Sequence, residues 1–213
     1  VSIQSTLEDA LSTLLGQPVV VVGAGRTDAG VHARQIFAHV DVVQPLENNF
    51  TYRLNQFLPK DIAIKEIRHV HSDAHARFDA VSRSYEYKLT TAKNPFLVSY
   101  AYAFCKDLDI VAMNQAASLL LTHTDFKCFS KSKTDVKTYD CDITHAAWTC
   151  KGSDWVFSIS ANRFLRNMVR AIIGTLIEVG LSKMSLEDFK KVLLSRSRSE
   201  AGYSVPAHGL YLT

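Results

Sequence analysis

No apolar run in this chain approaches the length needed to cross a bilayer, and its first residues show no signal-peptide pattern. Cysteine is sparse. Cys105, Cys128, Cys141 and Cys150 lie far apart with no C-x-x-C pair, which argues against a disulfide framework or a zinc site and for reduced cytosolic thiols. There is no low-complexity linker and no short-period repeat, and no motif for a nucleotide cofactor survives inspection. A composition of 47% hydrophobic and 21% charged residues excludes a disordered chain, and 213 residues suffice for one large domain or two small ones. Net charge is only +3, so bulk charge announces no nucleic-acid partner. Its distribution says more: residues 1–50 carry 2 basic and 5 acidic side chains, residues 151–200 carry 9 and 5. The later region is a candidate anion-facing surface.

Periodicity alternates between strand and helix. Residues 2–15 have helical spacing, with Ser5 and Glu8 as a candidate capping box, and Pro18 ends the segment. Strands are expected at Val19–Val22, at 35–43, at 61–70 ("DIAIKEIRHV") and at 82–91, where Tyr85 and Tyr87 share a face. "NNFTYRLNQFL" and "DLDIVAMNQAASLLL" are expected as helices, the second capped near Asp107. Two more strands follow at "TYDCDITHAAW" and "DWVFSISA", then a long helix over 162–180, a short one at "SLEDFKKVLL" and a last strand at "GLYLT". Neighbouring strands of this kind favour an α+β fold with an antiparallel sheet over a doubly wound one.

The densest chemistry lies in "GAGRTDAGVHARQ", residues 23–35. A dinucleotide fingerprint would need glycine where Asp28 stands, and a phosphate-binding P-loop would need Lys-Ser/Thr after Gly30, where Val31 and His32 follow. The loop also leads into a strand, so no helix N-terminus faces an anion. The plain alternative is a tight loop in which Arg26 and Asp28 simply pair. Against it, Arg26, Thr27, Asp28, His32 and Arg34 crowd nine residues directly after a buried strand.

These residues carry a resemblance. "GAGRTDAGVHA", "SRSYEYKL", "HTDFKCFS", "NRFLRNMVRAIIG" and "SVPAHGLYL" resemble, block by block and in order, the tRNA pseudouridine synthase A family, and together they span nearly the whole chain. The resemblance implies the pseudouridine synthase fold: two similar α+β halves, residues 1–92 and 93–213, sharing a central antiparallel sheet with flanking helices and a basic cleft. It implies a cytoplasmic isomerase of tRNA processing, a homodimer that binds the anticodon stem-loop and converts uridines at positions 38–40 to pseudouridine. No metal and no cofactor is implied. A non-catalytic RNA-binding or RNA-folding module on the same scaffold is the rival, separated by whether Asp28→Asn loses product while keeping RNA.

Residue by residue, the aspartate of R-T-D-A-G is the family's nucleophile and maps to Asp28. Whether it attacks C1′ of the sugar or removes a C2′ proton is left open by the sequence. Arg170, in M-V-R, is the arginine expected to pair with it, and Tyr85 the tyrosine expected to stack on the flipped uracil and help remove its C5 proton. Arg26 resembles the residue that holds the target nucleotide out of the stack, with Thr27 beside it. Arg163 and Arg166 share the Arg170 side of the expected helix and become candidate phosphate contacts, where a solvated face is the alternative. Leu210 is a candidate apolar wall. The basic loop 129–137 is a further candidate phosphate contact, where a solvated loop is the alternative. His69, His71, Asp73 and His75 have no recognised metal spacing and are expected as a polar surface segment, a candidate RNA contact. The family's opening strand, with its D-G-T-x-Y-x-G-W-Q-like segment, has no counterpart before "VSIQSTLEDAL". The chain begins without Met and stops at Thr213 inside the closing strand, so it is expected to be incomplete rather than naturally short.

Overall fold

The computed structural model describes residues 2–131 and 136–213. In chain order these form α1 (Ile3–Leu15), β1 (Val21–Gly23), β2 (His32–Ala33), β3 (Ala38–Val40), α2 (Phe50–Phe57), β4 (Arg83–Thr90), β5 (Tyr102–Ala103), α3 (Ile110–Leu119), β6 (Ile143–Lys151), β7 (Asp154–Ala161), α4 (Met168–Gly180), α5 (Leu186–Ser195) and β8 (Leu210–Leu212). Two compact units divide them. The first is Val1–Arg26 with Ile36–Ala80, the second Thr27–Gln35 with Val81–Thr213. No described helix is long and apolar enough to cross a membrane.

The first unit packs α1 and α2 around a small core of Ala10, Leu11, Val19, Val21, Phe50, Leu54 and Leu58, beside an antiparallel ladder of β1 with β3. The cap of α1 sits three residues earlier than expected. Ser2 and Ser5 exchange side-chain-to-backbone bonds, and Glu8 instead accepts the amide of Val21 at 3.1 Å. The strand expected over 61–70 is also corrected: it pairs with no other strand among the described residues. Its extended chain is held by a side chain, because the Asn55 amide donates to the Ile64 carbonyl at 2.8 Å and accepts the Ile64 N–H at 2.7 Å. One amide thus satisfies the two backbone groups that a ladder partner would have taken.

The second unit holds a six-stranded sheet in which β2, β8, β4, β7 and β6 lie side by side, with β5 pairing the far end of β4. Antiparallel pairing dominates, eight residues deep between β4 and β7, while β2–β8 and β4–β5 run parallel. One continuous core unites the strand residues Tyr87, Leu89, Trp148, Phe157 and Ile159 with Met113, Ile172, Ile173, Leu176 and Phe189 of the helices. α4 is apolar almost all round and nearly every residue in it is buried, which is the pattern of a central helix. The sheet's β6 edge is closed by Asn114 of α3, whose amide bonds both the N–H and the carbonyl of Trp148.

Two helix starts depart from expectation. Asp109, not Asp107, caps α3, accepting the amides of Val111 and Ala112. The long helix begins at Met168 instead of residue 162, because Asn167 takes a left-handed conformation (φ 66°) that stops the helix from continuing backward. Asparagine tolerates that region better than other non-glycine residues.

Candidate active site

Within the second unit, the turn that carries Asp28 is closed by the Val31 N–H donating to the Asp28 carbonyl at 3.1 Å. Gly30 completes it at φ 84°, a backbone region that side chains disfavour. The chain then enters β2, which pairs with β8, and the Arg34 amide donates to the Leu212 carbonyl at 2.8 Å.

The Asp28 carboxylate is met by an arginine from the other end of the unit. Arg170 Nη1 donates to Asp28 Oδ2 at 2.7 Å, with side chains 20% and 31% exposed respectively. A charge-assisted bond in so sheltered a place is stronger than a surface ion pair. Arg170 is itself fixed from behind. Its Nε donates to the Val205 carbonyl at 2.7 Å, and the Val205 amide donates back to the Arg170 carbonyl at 3.2 Å.

Val205 belongs to a strap, residues 198–206, that runs along α4. The Gly202 amide donates to Thr175 Oγ1, Asn167 Nδ2 donates to Ser204 Oγ at 2.6 Å, and Arg198 donates to the carbonyls of Ala201 and Gly202 and to Ser204 Oγ. The approach depends on Gly174, where an added Cβ would lie 1.8 Å from the Tyr203 carbonyl oxygen. Gly174→Ala therefore has to push the strap off the helix and Val205 away from Arg170. The expected result is a loss of ~3 kcal/mol or more in denaturant unfolding, as for other severe overpacking. An unchanged midpoint would show that the strap is not tightly docked.

β4 supplies the tyrosines. Tyr85 is half-buried, and the ring of Phe164 meets it edge-on at 5.3 Å. Burial raises its pKa; nearby Arg83 lowers it and the charge of Asp28 adds a further rise. Tyr85 is thus a phenol at neutral pH. Tyr87, wholly buried, donates its hydroxyl to the Pro206 carbonyl at 3.0 Å. Two neighbouring carbonyls of the strap are therefore held from two elements, Val205 by α4 and Pro206 by β4.

A carboxylate gripped by a clamped arginine near a sheltered phenol is a site for acting on a neutral or cationic centre. Sequence relatives give the family. The family model described as tRNA pseudouridine synthase matches residues 116–213. The chain is 53% identical over 216 residues to tRNA pseudouridine synthase A of Porphyromonas gingivalis, covering 99% of this chain and 86% of that protein. It is 50% identical to the protein of that name from Parabacteroides distasonis (99% and 84% covered) and 39% identical to that from Bacillus licheniformis (99% and 87%). The chain belongs to the tRNA pseudouridine synthase A family. It is, by that membership, an isomerase that converts uridine to pseudouridine, and its mixed sheet flanked by helices is consistent with the pseudouridine synthase fold.

Against this family background the remaining candidate residues separate. The structure brings Asp28, Arg170 and Tyr85 together in one unit. Thr27 is exposed in the loop of Asp28, and Arg26, also exposed, is the last residue of the first unit's opening segment. Leu210 is packed in the core across from Tyr87, exposing only 5% of its surface. Arg163 and Arg166 do not share a helical face with Arg170, since both precede the start of α4. Arg163 is half-buried and lies close enough to Cys141 to counter the rise that burial gives that thiol, whereas Arg166 is exposed and its carbonyl accepts the Lys131 amide at 3.1 Å. Part of the basic loop 129–137 lies outside the described residues. In the first unit, His71 pairs with Asp73 at 2.6 Å and the His75 ring stacks on Phe78. Among the described residues, no three His, Cys, Asp or Glu side chains converge in a group able to hold a metal.

The strap was the feature least visible in the sequence. The signal that could have marked it is Gly174 inside an apolar helix, since a conformationally costly residue there calls for a close neighbour.

Proposed function

We propose that the chain isomerises uridines at positions 38–40 of the tRNA anticodon stem-loop, with Asp28 as nucleophile, and that it works as a homodimer. Sedimentation equilibrium that returned a monomer would remove the dimer from this reading. The observation that carries the nucleophile is the Asp28–Arg170 bond at 2.7 Å, with Arg170 locked to Val205 behind it. That bond is charge-assisted and sheltered, so it fixes where the carboxylate stands.

In this reading the target uridine leaves the stack, and Arg26 and Thr27, exposed just before Asp28, hold it out. The Asp28 carboxylate forms a bond to C1′ as the C1′–N1 bond breaks, and its electron pair departs with the uracil. The uracil turns, C5 attacks C1′, and the carboxylate leaves with the electrons of its own bond. One proton is lost from C5 and one is gained at N1, so the product is an isomer and no oxidant or reductant is consumed. Positive character at C1′ is stabilised by the carboxylate much as in retaining glycoside chemistry. Because burial keeps Tyr85 a phenol, stacking and hydrogen-bond donation suit it better than removal of the C5 proton. Arg163 and Arg166 act on phosphates outside the reacting centre.

The position is tested with transcripts in which cytidine replaces uridine at 38, 39 and 40. Product is expected from the unsubstituted tRNA and none from the triply substituted one; product persisting at other uridines would overturn the anticodon assignment. Deuterium at C2′ of the target separates the two roles of Asp28, because attack at C1′ leaves that bond intact and the rate nearly unchanged.

A further inference from the structure

The loop that carries Asp28 is gripped at its carboxylate by Arg170, and what holds its following end is the structure around His32. β2 is only two residues long and pairs with β8 in parallel. Parallel pairing is slightly the weaker kind per residue, so so short a ladder fixes little by itself. The His32 side chain supplies the rest. Its Nε2 lies 3.0 Å from the Ser99 carbonyl, and its ring stacks on Tyr211 (4.7 Å between centroids, 21° between planes) and on Tyr100 (5.6 Å, 27°). Tyr211 closes the arrangement by donating its hydroxyl to the Tyr100 carbonyl at 2.7 Å. A carbonyl can only accept, so Nε2 carries the hydrogen in this bond, in the neutral ring and the imidazolium alike.

We infer that His32 is a positioning residue for Asp28, an inference that rests on Asp28 being the nucleophile. Three residues separate them, all in the turn closed by the Val31 amide and the Asp28 carbonyl. The carboxylate is bonded to Arg170 through Oδ2 and can swing about that bond unless the peptide behind it is anchored. His32 is that anchor. It binds the end of the turn to the 99–100 segment and to β8 at once, so that the carboxylate meets C1′ from one direction. His32 touches none of the reacting atoms in this arrangement. Its contribution is to the rate of the chemical step and not to the grip on RNA.

The test is steady-state kinetics of the full-length protein on unmodified tRNA, with His32→Ala, His32→Phe and His32→Gln beside wild type and Asp28→Ala. For His32→Ala, kcat is expected to fall by about 10- to 100-fold, the scale of a misplacement near 1 Å, with KM for tRNA and Tm close to wild type. His32→Gln, whose amide can still donate to Ser99, recovers part of the loss, and His32→Phe, which keeps only the stacking, falls between. A wild-type kcat in His32→Ala overturns the inference. So does a loss that appears in KM, which would make His32 an RNA contact, or one that tracks a fall in Tm. Should His32→Ala not fold, His32→Phe decides: lowered kcat at unchanged Tm supports the inference, and wild-type kcat overturns it. Activity retained by Asp28→Ala would defeat the nucleophile itself, whereas an inactive Asp28→Ala beside a fully active His32→Ala defeats only the role of His32.

Discussion

Asp28→Ala is expected to abolish pseudouridine formation, by ~10⁴-fold or more, on the scale of removing a nucleophile from a preorganised site. Asp28→Asn should do nearly the same. It keeps the size of the side chain and can still accept from Arg170, but it has lost the charge that stabilises the sugar and the electron pair that bonds C1′. Binding of tRNA should be unchanged or tighter in both variants. The reason is electrostatic: taking away the carboxylate frees the Arg170 guanidinium, otherwise engaged at 2.7 Å, to face phosphate. Some stability is lost as well, since the Arg170 side chain is four-fifths buried and has lost its carboxylate partner. The two readouts are product measured on unmodified tRNA and tRNA affinity at fixed salt. Residual product above background from purified Asp28→Ala would reject the assignment of the nucleophile, and loss of tRNA binding along with product would place Asp28 in recognition instead.

Arg170→Lys is the second large effect, and the conservative label misleads here. The native side chain uses two different nitrogens for two different jobs. Nη1 grips Asp28, while Nε, set back along the chain, holds the Val205 carbonyl. A lysine brings one ammonium on a flexible stem and has no group at the Nε position. It can meet either partner but not both. The expected outcome is a fall in kcat of ~10²- to 10³-fold, comparable to deleting one preorganised electrostatic contact, with a larger loss for Arg170→Ala. Unfolding should also be easier by ~1–3 kcal/mol, because the Val205 carbonyl loses its donor in a sheltered place. Wild-type kcat in Arg170→Lys would show that charge alone suffices and that the clamp on Val205 is incidental.

Much of the local architecture was legible in the sequence. The apolar spacing of residues 2–15, the alternation through 82–91 and the long apolar stretch ending at Gly180 each correspond to an element of the expected type, because each buries one face or all of itself. Reading failed where a single side chain overrides a pattern. "DIAIKEIRHV" alternates like a strand, yet Asn55 takes the hydrogen bonds of Ile64 and no ladder forms there. Arg163 and Arg166 keep helical spacing with Arg170, yet the left-handed Asn167 breaks the helix between them. Neither a side chain that takes over a backbone's bonds nor a single left-handed residue leaves a trace in periodicity.

The sequence by itself determined the family, through five ordered blocks, and through that resemblance it pointed to the loop at residues 23–35 whose carboxylate is proposed as the nucleophile. It also contained the partners one at a time: an aspartate, an arginine, a tyrosine and a histidine. Only the tertiary structure decided how they meet. Asp28 and Arg170 stand 142 positions apart, and their bond exists because the strap lies along α4 and turns Arg170 by its Nε. That strap is held by groups with no pattern of their own, the bare Cα of Gly174 and the carbonyls of Val205 and Pro206. Backbone carbonyls are present at every residue, so nothing in the chain's chemistry distinguishes the two that matter until packing leaves them facing Arg170 and Tyr87.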